Sequence, residues 1–203
     1  MDRDFVRSIE PTAIESKNAF MLQQLIFQDK FQEVKDYINR NDSSEESQAF
    51  RSPYALKLIL DSILQNQIKT EEQEGIDFII FLLSFESVKL AVKSDPWSIT
   101  TAAKHNCVAA MILFIALDDG EAVSKTDAAA IAFGHEYVQM FKMLISNPRI
   151  AKSADIDRIK SNIKFKTDYN RTEHLEEVLR LLNSKQQELH QSHRHQPVKH
   201  IFQ

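Results

Sequence analysis

The chain has 203 residues, of which 43% are hydrophobic and 27% charged, a balance that supports a continuous core and excludes a chain disordered throughout. Its net charge of −4 and isoelectric point of about 6.0 lack the basic field that neutralises phosphates, so nucleic-acid binding is not expected. Only 3 glycines and 5 prolines occur, too few for hairpin sheets, doubly wound folds or a glycine-rich phosphate loop. Long helices joined by short polar loops remain.

The N-terminus, Met1-Asp2-Arg3-Asp4-Phe5, is charged and lacks the apolar run of an export leader. Residues 1–17 read as a polar lead-in, with Pro11 interrupting any helix. From Asn18 onward, Leu22, Leu25 and Ile26, then Phe31, Val34, Tyr37 and Ile38, recur at three- and four-residue spacing, which predicts two helices broken at Asp29-Lys30. Asn41 to Ser47 reads as a polar loop. Ser52-Pro53 opens the next helix as cap and first-turn residue, with Leu56, Ile59, Leu60, Ile63 and Leu64 on its face. Lys69 to Glu74 is a charged connector, and Gly75 then opens an almost wholly apolar helix, Ile76 to Phe85. Ser94-Asp95-Pro96 repeats the cap-plus-proline start, and the helix beyond it carries Ile99, Ala102 and Ala103. A break at His105-Asn106 leads into Val108 to Leu117, and Asp118-Asp119-Gly120 is a turn. A helix capped by Asp127 breaks at Gly134, resumes at Tyr137 and stops at Asn147-Pro148. Two further helices are expected at 154–164 and 172–184, then a polar, histidine-rich tail over 185–203 that is expected to be disordered. The longest apolar runs are about half of the ~20 residues that a membrane-spanning helix needs, so no membrane span is expected.

The helix pairs resemble one another. Each has a short helix, a two-residue break and a second helix, with breaks near Asp29, Gly75, Asn106 and Gly134, spaced 46, 31 and 28 residues apart. The segment Ala102-Ala103-Lys104-His105-Asn106-Cys107-Val108-Ala109-Ala110-Met111 resembles the Ala-Ala-x-x-Gly-His-x-x-Val-Val pattern of the ankyrin-repeat family. Ala130-Ile131-Ala132-Phe133-Gly134-His135-Glu136-Tyr137-Val138 keeps its Gly-His pair, and Gln28 to Lys35 is similar with Asp29 in place of glycine. The resemblance covers about residues 18–146, more weakly to 184. No repeat carries the family's Thr-Pro-Leu-His opening, and the period is irregular. The expected fold class is therefore all-α: stacked helical hairpins over 18–184, an ankyrin-like α-solenoid with irregular repeats. An irregular α-solenoid without ankyrin character and a compact helical bundle are the alternatives. A single hairpin cannot bury its apolar face alone, so stacking is required.

Few residues point to chemistry. His190, His193, His195 and His200 could hold a transition metal, but a solvated tail is the simpler reading, and no metal site or cofactor is expected. The resemblance makes the histidine after the break structural, a role that His135 fits, and places Cys107 at the equivalent position. Cys107 is the sole cysteine, which fits a reducing, cytoplasmic compartment and reads as a small buried hydrophobe. Trp97, the sole tryptophan, is either a core wedge or an interface anchor. The acidic groups Glu45-Glu46, Glu71-Glu72-Glu74 and Asp118-Asp119-Glu121 read as solubilising loops, and Arg158, Lys160, Lys164, Lys166 and Arg171 gather on the last hairpin.

The architecture that the resemblance implies is a protein-interaction module, not an enzyme. Its protein partner would lie in the groove lined by the first helix of each pair, against Gln23, Gln24, Trp97, Thr100, Thr101 and Lys104. The low glycine content, lone cysteine and irregular repeats also resemble effectors that bacteria deliver into host cells. An enzyme with an unfamiliar helical active site is the competing reading, and it would need His105, His135 and a carboxylate facing one cavity.

Overall fold

A computed structural model describes residues 11–40 and 44–153, together with 177, 180, 181, 183, 184 and 187. Among the described residues every regular element is helical, which agrees with the all-α expectation, and no helix is long and apolar enough to cross a membrane. The chain divides into two compact units, 1–113 and 114–203.

The first unit opens with α1 (Ala13–Phe27), five residues ahead of the expected start at Asn18. The missed signal is a capping box. The Thr12 hydroxyl accepts from the Glu15 backbone N–H at 3.2 Å, and the Glu15 carboxylate accepts from the Thr12 N–H at 2.8 Å. Then come α2 (Phe31–Asn39), α3 (Glu45–Phe50) and α4 (Pro53–Leu64). The loop expected over Asn41 to Ser47 thus turns helical at Glu45. The Arg51 side chain donates from Nε to the Ile38 carbonyl at 2.7 Å and also to the Arg40 carbonyl, closing the C-terminus of α2. Ser52 caps α4 ahead of Pro53, as the sequence predicts.

Next are α5 (Gln67–Glu71), α6 (Gln73–Leu82) and α7 (Glu86–Ser94). The charged connector is itself helical, and Gly75 lies inside the first turn of α6, not at a break. A Cβ at Gly75 would stand 1.8 Å from the Lys69 carbonyl oxygen, so the glycine lets two backbones approach where no side chain fits. The apolar run ends at Leu82, and α7 was not expected, since Val88 and Val92 are its only buried residues. The unit continues with α8 (Trp97–Lys104) and the start of α9 (Val108–Ala116).

Named contacts fix how these helices run. Gln23 in α1 bonds Ser62 in α4, and nearer the start of both helices the Ser52 hydroxyl is close enough to Glu15 to help lower its pKa, so α1 and α4 are parallel. Ser98 in α8 bonds Asp61, while the Cys107 thiol just after α8 donates to the Leu64 carbonyl at 3.1 Å, so α8 also runs parallel to α4. These three form one layer with α4 in the middle. In a second layer, the Phe31 ring of α2 lies 5.1 Å from Phe78 of α6, and the Lys35 ammonium sits over Phe78 and Phe81, which makes those helices parallel too. Leu22, Phe31, Leu56, Ile59, Leu60, Ile63 and Phe78 are fully buried in this unit.

The second unit contains α10 (Glu121–Ser124), α11 (Ala128–Gly134), α12 (Val138–Ser146) and α13 (Pro148–Ser153). Asp127 makes no capping hydrogen bond; the Thr126 hydroxyl accepts from the Ala128 N–H instead. Asn147-Pro148 ends α12 and also starts α13, because the Asn147 side-chain oxygen accepts from the Arg149 and Ile150 N–H groups. The six described residues from 177 to 187 are helical. The helix expected at 154–164 and the histidine-rich residues of the tail lie outside the described residues.

Four helix ends close in the same way: at the end of α9, Asp119 has φ of 55° and the Gly120 N–H donates to the Ile115 carbonyl at 2.9 Å, and three other ends match it. Asp29, Asn106 and Glu136 have φ of 61°, 55° and 61°, the left-handed region. The next residue in each case donates its N–H back five positions at 2.9 Å, Lys30 to Leu25, Cys107 to Ala102 and Tyr137 to Ala132. That is the Schellman closure of a helix end. It corrects the expected register: the break lies at Glu136, not at Gly134, so Cys107 matches Tyr137 and His105 matches His135. Gly134 is helical, with nothing within 4 Å of an added Cβ. Glycine and the left-handed turn are thus two residues apart. Replacing Gly134 by Ala and Glu136 by Gly should raise stability by about 1 kcal/mol in total, since the first regains helix propensity and the second relieves positive φ. Thermal unfolding of the double variant checks this, and an unchanged or lower midpoint contradicts the register.

Candidate functional site

The parallel helices α1, α4 and α8 carry exposed residues on one side. On α1, Phe20, Gln24 and Phe27 recur at four and three residues, a single stripe beginning next to Gln23. Gln23 is half-buried and its amide donates to the Ser62 hydroxyl at 3.0 Å, so it points at α4. On α8, Trp97, Thr101 and Lys104 make the matching stripe next to Ser98, which also points at α4. The α1 stripe follows its bridging residue and the α8 stripe precedes it. Because the helices are parallel and flank α4 from opposite sides, both stripes turn to the same side. On α4, half-buried Leu58 stands one turn before Ser62, and exposed Tyr54 two turns before Asp61, between the two flanking helices.

This open face is aromatic. Phe20 is 60% exposed, Phe27 57% and Trp97 57%. Trp97 is therefore not a core wedge. Among the residues expected at the site, Gln24 and Lys104 are exposed on this face. Thr100 is half-buried, and its hydroxyl donates to the Trp97 carbonyl at 3.0 Å. Thr101 is only 6% exposed and forms part of the packing beneath, which corrects its reading as an exposed position. Phe20 and Phe27 are not among the periodic positions that the sequence singles out in this helix, which are Leu22, Leu25 and Ile26. Four residues on, Asn18, Leu22 and Ile26 already fill the buried side, and a second apolar stripe was the available signal.

Beneath the aromatics runs a polar seam. The Ser98 hydroxyl donates to Asp61 Oδ1 at 2.6 Å, and Lys57 donates to Asp61 Oδ2 at 2.9 Å. Lys57 also pairs with Asp95 at 3.0 Å, and Asp95 Oδ1 accepts from the Trp97 backbone N–H at 3.0 Å. Asp61 is only 5% exposed. Burial works against the Lys57 charge, but the hydrogen bonds and charges of Asp61 and then Asp95 outweigh it, so its pKa stands above the ordinary lysine value. The sequence signal was one acid inside an apolar run, four residues after a lysine.

The groups that would serve catalysis are placed otherwise. Burial pushes the Cys107 thiol up to about 11, against the pull of the Thr70 hydroxyl, so at neutral pH it is a protonated core side chain and not a nucleophile. His135 stacks on Tyr137, with ring centroids 5.4 Å apart and planes 11° from parallel. Among the described residues no three His, Cys, Asp or Glu side chains gather as metal ligands do. No family model, curated protein or solved structure matches the chain.

Proposed function

We propose that the chain is a protein-interaction module, an ankyrin-like stack of helical hairpins, and that its partner packs against the aromatic open face of α1, α4 and α8. The observation that carries this reading is the exposure of Phe20, Phe27 and Trp97 on one side of three parallel helices. Large aromatics are costly to leave in water, by roughly 1.5–3 kcal/mol per side chain, and they are the usual anchors of protein interfaces. The four left-handed closures, at Asp29, Asn106, Asp119 and Glu136, support this reading, because equivalent helix ends with equivalent turns are what consecutive repeats require.

A photo-crosslinking residue installed at Gln24, at Lys104, or at the exposed Gln32 of α2 tests the assignment in the cells that make the protein. The expected result is one common protein adduct from Gln24 and Lys104 and none of it from Gln32. Adducts formed equally from all three positions, or only from Gln32, would refute the face.

A further inference from the structure

We propose that Asp61 is a positioning residue for the recognition face: acting through Lys57, Asp95 and Ser98, it holds the first turn of α8 so that the Trp97 ring is presented in one orientation before any partner arrives. The proposal rests on the reading of the open face as the binding surface.

The argument starts from a mismatch between cost and return. A carboxylate that is 5% exposed loses most of its hydration. An ion pair in such a place contributes little net stability, and well-packed apolar residues often replace it without loss. A cheaper solution was open to α4, whose neighbouring positions Leu60, Ile63 and Leu64 are apolar and fully buried. What the charge supplies is direction. Asp61 uses one oxygen on Ser98, within the first turn of α8, and the other on Lys57. Lys57 reaches from Asp61 to Asp95, and Asp95 fixes the backbone N–H of Trp97 itself. Two routes, both starting from Asp61, thus run from the middle of α4 to residues on either side of Trp97. The ring they direct is more than half in water, so packing alone does not hold it. Immobilising such a side chain on binding costs roughly 0.5–1.5 kcal/mol, and a ring ordered beforehand avoids part of that cost.

Trp97 is the only tryptophan, so its emission reports on this one turn. Time-resolved fluorescence anisotropy and iodide quenching would be measured on the full chain, without partner, for Asp61→Leu, Lys57→Met and Lys57→Arg. Ile38→Val, a buried α2 variant of the same chain, controls for a general loss of stability. In Asp61→Leu and Lys57→Met the slow component of the anisotropy should shrink and quenching should rise roughly twofold, as expected for a locally loosened helix end, with helix content unchanged. Lys57→Arg, which keeps a cation between the two carboxylates, should restore the wild-type decay, and Ile38→Val should leave it alone. Wild-type Trp97 order in folded Lys57→Met overturns the proposal, whether or not Asp61→Leu folds, and so does equal loosening in Ile38→Val. No partner enters these measurements, so failure of the positioning role is distinguishable from failure of the binding face, which the crosslinking tests.

Discussion

Gly75→Ala should destabilise the first unit by about 3 kcal/mol, the upper part of the range for overpacking. Alanine in place of glycine within a helix ordinarily gains about 1 kcal/mol, so the usual expectation has the opposite sign. The geometry decides between them. The new methyl group would sit 1.8 Å from the Lys69 carbonyl oxygen and 2.8 Å from its carbon, both backbone atoms that cannot rotate away. To relieve the clash α5 must move, and Lys69 is tied by a 2.7 Å ion pair to Asp29 at the turn between α1 and α2. Denaturant unfolding followed by Trp97 emission measures the effect. A gain of about 1 kcal/mol would show that α5 and α6 do not approach as closely as described.

The second large effect concerns the contact between α2 and α6. Phe78→Ala should cost about 3–5 kcal/mol, because it removes a fully buried ring and leaves a cavity. Phe31→Ala should cost a comparable amount, since Phe31 is 2% exposed. The two rings are 5.1 Å apart and tilted by 34°. If α2 and α6 pack as neighbours, the double variant should be less destabilised than the sum of the singles by about 0.5–1.5 kcal/mol, the coupling of an aromatic pair. Strict additivity would mean that α2 and α6 do not share this core.

How much of this was legible in the sequence depends on the kind of signal. The cap-plus-proline starts at Ser52 and Asp95 and the left-handed turns at Asp29 and Asn106 were readable, because capping and turn chemistry act over a few residues. The turn at Glu136 was misread because Gly134 stands two residues away and glycine is the expected occupant of positive φ. There the closure of α11 by the Tyr137 to Ala132 hydrogen bond outweighs local preference. The short helices α3, α5, α10 and α13 carry too few residues to show a period, and tertiary packing supports them. The exposure of Gln24 and Lys104 was legible by counting along their helices, whereas the exposure of Trp97, the burial of Thr101 and the Asp61–Ser98 bond depend on which flank of α8 meets α4. Spacing within one helix does not contain that information.

The most direct test of the account is a titration of the crosslinked partner, once purified, against the intact chain and against Trp97→Ala. If Trp97 anchors the interface, the variant should remain folded, since its ring is mostly in solvent, and should bind about 30-fold more weakly, the loss of about 2 kcal/mol that defines a hot spot. Equal affinity for the two chains would contradict the assignment of the aromatic face as the place where this protein meets its partner.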